Sequence, residues 1–182
     1  GCEDIAELLN RSDSEIFFYD SRYEKMIPEL RRMCPDVKIY VSFGEDFQNI
    51  LAENEPEELP EVSPQMLAAI SYTSGTTGKS KGVMLLHSNL IDNAMCQDNE
   101  STPDDVVLSV LPIHHIYCFT CDILCTLRYG NELCLNDSML RIPQNLKLFR
   151  PTIMLIVPMI AETMYKQIKA ASAAKPDVPM AG

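Results

Sequence analysis

The ten residues from Thr73 to Gly82, TSGTTGKSKG, constrain this chain more than any other segment. They comprise three glycines, five hydroxyl side chains and two lysines, with no apolar group. Apolar, strand-like runs flank them, Leu67 to Tyr72 before and Val83 to Leu86 after. A polar loop anchored at both ends by apolar strands differs from a flexible Gly/Ser linker. Each residue type in it suits a polyphosphate. Glycine lets backbone N–H groups approach and wrap an anion. The hydroxyls of Thr73, Ser74, Thr76, Thr77 and Ser80 can donate to phosphate oxygens or ligate Mg²⁺, while Lys79 and Lys81 can neutralise departing phosphates. No Asp or Glu occurs from Val62 to Ile91, although the chain carries 26 of them. Buried strands would account for that gap in the flanks but not in the loop.

A Walker loop is a different solution to the same problem, and it is excluded on two counts. That pattern needs G-x-x-x-x-G-K-[ST] leading directly into a helix. Gly78-Lys79-Ser80 supplies its end, but Thr73 stands where the first glycine belongs. The residues that follow, Val83 to Leu86, read as a strand, and the helix signal waits for Ser88 as its cap.

At 182 residues, 46% hydrophobic and 23% charged, the chain fits one globular domain or a piece of a larger one. Its formal net charge of −11 repels nucleic acid and anionic membrane surfaces, whose recognition requires clustered Lys and Arg. Arg31-Arg32 is the only adjacent basic pair. Nucleic acid is therefore not an expected partner. Seven cysteines, an odd number, fit reduced thiols in a cytoplasm. The longest apolar run, Ile153 to Ile160, is broken by Pro158 and is far too short to span a bilayer. The chain opens on Gly1-Cys2 without Met and stops at Ala181-Gly182, which reads as part of a longer protein.

Helix and strand signals alternate along the chain. Asp4 to Leu9 reads as helix, Ile16 to Tyr19 as a buried strand, and Asp20-Ser21 as the cap of a helix to about Met33. Val37 to Val41 is a second strand, and a short helix follows Phe43-Gly44 to Ala52. Residues 53–64, ENEPEELPEVSP, are acidic and Pro-rich and read as a surface linker. Beyond the loop strands come Val106 to Leu111, a helix from about Ile116 to Leu127, Leu133 to Leu135, Ile153 to Val157, and a helix from Ala161 to Ala171. The order predicts an α/β fold: a mostly parallel sheet with helices on both faces.

A second chemical segment, Leu111-Pro112-Ile113-His114-His115-Ile116, follows a strand and precedes a helix. Sites in α/β proteins are built at such strand ends. A His pair alone is more often packed or solvent-facing than functional; the loop upstream reverses that judgement. Together, YTSGTTGKSKGV over residues 72–83 and LPIHHI resemble the signatures of the acyl-adenylate-forming, AMP-binding superfamily, and His114 before His115 is similar to its long-chain fatty acyl-CoA synthetase branch. One departure is Ser80, where the family most often has Pro.

The resemblance implies that residues 1–182 are a fragment of the large N-terminal AMP-binding domain. By it, residues Thr73 to Lys79 and Lys81 would hold the ATP phosphates, Thr76 would contact Mg²⁺, and Lys81 and His115 would be catalytic, His115 bordering the acyl pocket. The implied parent is an acid–thiol ligase. It forms an acyl-adenylate from a carboxylic acid and ATP, then a thioester with coenzyme A, with a fatty acid as the expected acid. The family's later Tyr-Gly-x-Thr-Glu segment, ribose-binding Asp and lid lysine are not in this sequence, so the 182 residues alone are expected to be inactive. A peptide-synthetase or aryl-acid adenylation domain, an ATPase or kinase, and a non-catalytic nucleotide-binding module are the alternatives, in that order. Cys118, Cys121 and Cys125 read as core cysteines rather than metal ligands. Tyr129 to Glu132 reads as a turn, and Met154, Met159 and Met164 as core filling.

Overall fold

The computed structural model describes residues 1–55, 57–73, 80–96 and 100–174. The chain divides into two compact units, Gly1–Ser63 and Pro64–Gly182. In the first, α1 (Cys2–Arg11), a 3₁₀ turn (Ser21–Met26) running into α2 (Ile27–Met33), and α3 (Glu45–Glu53) surround β1 (Ile16–Tyr19) and β2 (Ile39–Ser42). The strands pair in parallel from Ile16 opposite Ile39 to Tyr19 opposite Ser42, with α2 in the crossover. Successive strand residues point to opposite faces. Phe17 and Tyr19 accordingly pack with Ala6, Leu9, Ile27 and Leu30, while Phe18 meets the rings of Phe43 and Phe47 at 5.8 and 6.2 Å. Asp20 is the expected cap. Its carboxylate accepts from the Arg22 guanidinium at 2.8 Å and the Arg22 N–H at 2.9 Å, which together hold its pKa down to about 2.

The second unit opens with β3 (Leu67–Thr73) and β4 (Lys81–Leu86), an antiparallel hairpin, followed by α4 (His87–Cys96) and β5 (Val106–Ser109). A continuous helix comes next, in three parts: α5 (Ile116–Cys118), a π-helical stretch (Phe119–Leu124) and α6 (Cys125–Tyr129). Then come β6 (Glu132–Leu135), α7 (Ile142–Phe149) and α8 (Pro158–Ala174). β5 and β6 pair in parallel. Leu108 and Val110 face a core of Cys134, Ile142 and Ile160. Ser109 points the other way, onto the helix that begins at Ile116. Helices thus cover both faces of the parallel strands in this unit too.

Three details differ from the sequence reading. The run from Ile153 makes a single parallel bridge, Val107 to Ile153, with Leu108 N–H donating to the Ile153 carbonyl at 3.0 Å. The chain then leaves the ladder for α8 at Pro158. Helix α4 starts at His87, so Ser88 lies inside its first turn. The His87 and Ser88 N–H groups donate to the carbonyls of Met66 and Pro64 at 3.1 and 2.9 Å, and Asn89, not Ser88, supplies the side-chain bond at this end, its Oδ1 accepting the Leu86 N–H at 2.9 Å. Met154 and Met164 pack on the core, but Met159 is 69% exposed. The turn after α6 is as read: Gly130 has φ +73°, and a Cβ there would touch nothing, so the backbone angle alone calls for glycine. None of the seven cysteines is in a disulfide. Among the described residues no helix is long and apolar enough to cross a membrane.

Candidate functional site

The hairpin fixes the two ends of the phosphate-loop candidate. Thr73 pairs with Lys81 as the last rung, directly above Tyr72 opposite Gly82. Both Thr73 and Lys81 are exposed, and Ser80 is half-buried. Ser74, Gly75, Thr76, Thr77, Gly78 and Lys79 lie outside the described residues. A connection this short cannot join parallel neighbours, which need a crossover of a dozen or more residues; antiparallel pairing is the consequence. Gly82 is required by close approach. A Cβ there would sit 3.0 Å from Ile70 Cγ2 and 3.2 Å from the Tyr72 ring, so the ring can lie across the strand only because the position is glycine.

The histidine segment is a turn between β5 and the long helix. His115 N–H donates to the Pro112 carbonyl at 2.9 Å, and His115 then caps the helix, its Nδ1 accepting the Tyr117 N–H at 3.3 Å. An accepting Nδ1 assigns the ring proton to Nε2. Both His114 and His115 are exposed. The Cys118 thiol has one proton to share between the Leu111 carbonyl at 3.3 Å and Asp122 Oδ2 at 3.6 Å, and the first of these ties the segment to the helix it precedes. Among the described residues His115 shares no hydrogen bond with Thr73 or Lys81.

A cavity of about 340 Å³ is bordered by Leu85 of β4, Asn89 and Asn93 of α4, and Ile116, Tyr117 and Cys121 of the long helix. The hairpin carrying the loop and the helix opened by His115 therefore border one space. Helix α4 is held in place by Arg128, whose guanidinium donates to the last carbonyls, Ala94 and Met95, at 2.8 and 2.9 Å.

Sequence reasoning missed Asp122. Its side chain is 1% exposed and accepts from Ser109 Oγ at 2.7 Å and the Cys118 thiol at 3.6 Å. Burial raises its pKa, against the opposing effect of those two hydrogen bonds. Burial likewise pushes up the Cys118 and Cys125 thiols, leaving them neutral in the packing. The available signal was spacing: Cys118, Asp122 and Cys125 share one helix face, an acid on a stripe that packs inward. Among the described residues no group of three or more His, Cys, Asp or Glu could hold a metal ion.

The sequence profile of the AMP-binding enzyme family matches residues 1–180, and the chain belongs to that family. It is 29% identical over 194 residues to 4-coumarate–CoA ligase 1 of Arabidopsis thaliana, covering 96% of this chain and 34% of that protein. It is 33% identical over 176 residues to long-chain-fatty-acid–CoA ligase 1 of Schizosaccharomyces pombe, covering 90% of this chain and 25% of that one. A long-chain-fatty-acid-CoA ligase structure from Archaeoglobus fulgidus matches with a TM-score of 0.82 at 21% identity, over 93% of this chain and 35% of that chain. ATP-bound MatB from Rhodopseudomonas palustris matches with a TM-score of 0.76 at 24% identity, over 88% and 33% respectively. At these identities the structures establish the fold. The chain spans about a quarter to a third of the curated relatives it matches.

Proposed function

We propose that the complete protein is an ATP-dependent acid–thiol ligase and that residues 1–182 are part of its N-terminal AMP-binding domain. The observation that carries this reading is the shared cavity, bordered by the loop hairpin and by the helix that His115 opens. A carboxylic acid lying there would be bordered by the strand that leads away from the loop and by the first turns of the helix after His115. Its carboxylate attacks the α-phosphate, giving an acyl-adenylate and pyrophosphate; the coenzyme A thiol then displaces AMP to give the thioester. The fatty-acid ligase among the relatives and the His114-His115 pair favour a fatty acid. The 4-coumarate ligases favour an aryl acid as the second reading.

Within this chain, the loop residues Thr73, Ser74, Gly75, Thr76, Thr77, Gly78 and Lys79 would surround the phosphates with N–H and hydroxyl donors. Lys81, at the foot of β4, would offset charge on the departing pyrophosphate. The donor set suits a hard cation, which takes oxygen ligands: Thr76 supplies a hydroxyl, and no carboxylate from Val62 to Ile91 competes for it. Bound Mg²⁺ would neutralise phosphate charge. His115, with its proton on Nε2, can donate to an oxygen of the acid and orient it. The unpaired cysteines support a cytoplasmic setting.

The test is product analysis on the complete protein with ATP, coenzyme A and a panel of acids. AMP, pyrophosphate and an acyl-CoA support the ligase reading. ADP and phosphate, formed without dependence on acid, would replace it with an ATPase.

A further inference from the structure

Position 82 is glycine for a reason that its own backbone does not supply. Its φ is not positive, and it stands within β4 rather than in a turn. The cause lies on the opposite strand. Tyr72 and Gly82 face each other across the antiparallel pair, and residues so paired place their Cβ positions about 5 Å apart on one face of the sheet. Ile70, two residues before Tyr72, shares that face. A Cβ on Gly82 would meet Cε1 and Cζ of the Tyr72 ring at 3.2 and 3.5 Å, and Ile70 Cγ2 at 3.0 Å. The far edge of the ring therefore rests on the β4 backbone. An aromatic ring laid over a cross-strand glycine replaces packing that the absent side chain would have given. The next rung, Thr73 opposite Lys81, is the last of the hairpin. Both of its residues are exposed, and ladder ends are where pairing opens most readily. The ring sits one residue inside that point, where the hairpin gives way to the loop.

We propose that Tyr72 is a positioning residue for the phosphate loop. Its ring, laid across Gly82, holds the Thr73–Lys81 rung closed and so fixes where the Lys81 amine meets the departing pyrophosphate. This rests on the ligase reading above and adds to it a residue that never touches the nucleotide. Side chains alternate along each strand, so those of Thr73 and Lys81 leave the sheet on the face opposite the ring. Tyr72 thus acts on the backbone that carries Lys81 rather than on its amine.

The experiment is a double-mutant cycle on the complete protein, read by acid-dependent ATP–pyrophosphate exchange with thermal melts in parallel. Tyr72→Ala should lower kcat about tenfold at temperatures where the variant stays folded, with the KM for the acid near wild type. Tyr72→Phe, which keeps the ring, should recover most of that loss. In a Lys81→Ala background Tyr72→Ala should cost little further, because residues that act through one another are not additive. If Tyr72→Ala melts below the assay temperature, Gly82→Ala, which lifts the ring with one methyl, takes its place in the cycle with the same expectations. Wild-type kcat in Tyr72→Ala, a Tyr72→Phe variant as slow as Tyr72→Ala, or the full loss repeated in the Lys81→Ala background overturns the assignment while leaving the ligase intact. No exchange by the wild type with any acid removes the ligase reading and this inference with it.

Discussion

Lys81 opens β4, so by the reading proposed above a single substitution there should act on chemistry more than on folding, whereas His115 also caps the helix it opens. Lys81 is exposed at the foot of β4, so Lys81→Ala should leave the melting temperature near wild type while lowering acid-dependent pyrophosphate release on the order of 100-fold. Asp122 should behave in the opposite manner, through stability. Its pKa is raised by burial, so in the folded state it holds its proton above the ordinary carboxylate range. Its contribution to stability is then complete below the unfolded carboxyl pKa and is lost as pH rises through the raised value. Asp122→Asn cannot ionise. The variant should therefore lose less stability than the wild type between acid and mildly alkaline pH, as read by thermal melts of the complete protein. Parallel curves for the two proteins would contradict a buried, titrating Asp122.

At the scale of elements, the β3–β4 hairpin depends on one glycine and α4 on one arginine. Gly82→Val would drive a branched side chain against Ile70 and the Tyr72 ring, both already within 3.2 Å of where a Cβ would stand. A loss of about 1–3 kcal/mol is expected from such overpacking, measured by denaturant unfolding, together with weaker nucleotide binding as the rung at Thr73 and Lys81 shifts. Arg128→Met would remove the guanidinium donor from the Ala94 and Met95 carbonyls, leaving Ala94 the weaker Cys125 thiol at 3.8 Å, at a cost of about 1 kcal/mol. The parallel pairs and the hairpin strands were legible because apolar runs bounded by turn signals bury themselves wherever they lie. The antiparallel sense of the hairpin departs from the mostly parallel sheet read from the sequence, and the shortness of its connection is the reason. Three features were not legible. Whether the run from Ile153 would form a ladder depends on how far β5 can pair with it. Whether Ser88 would cap α4 depended on carbonyls of Pro64 and Met66, which no local pattern announces. The π-helical stretch from Phe119 to Leu124 has no local sequence signal of its own. Of the site, the composition of the loop and the His115 turn could be read directly. The buried Asp122 could not, because a single acid in an apolar helix gains meaning only once the strand it faces is known.

For the whole molecule, an acidic chain of net charge −11 concentrates loop cations in a segment free of carboxylates. That contrast is what an anionic substrate requires, since it lowers repulsion at one place on a surface that elsewhere repels phosphate. By the reading proposed above, this segment serves carboxylate activation by adenylation. Acid-dependent exchange of labelled pyrophosphate into ATP, on the complete protein and in the absence of coenzyme A, tests it most directly. Exchange that appears only with a carboxylic acid, and falls sharply in Lys81→Ala, is the predicted result. No exchange with any acid, with ATP still converted to ADP, would contradict it.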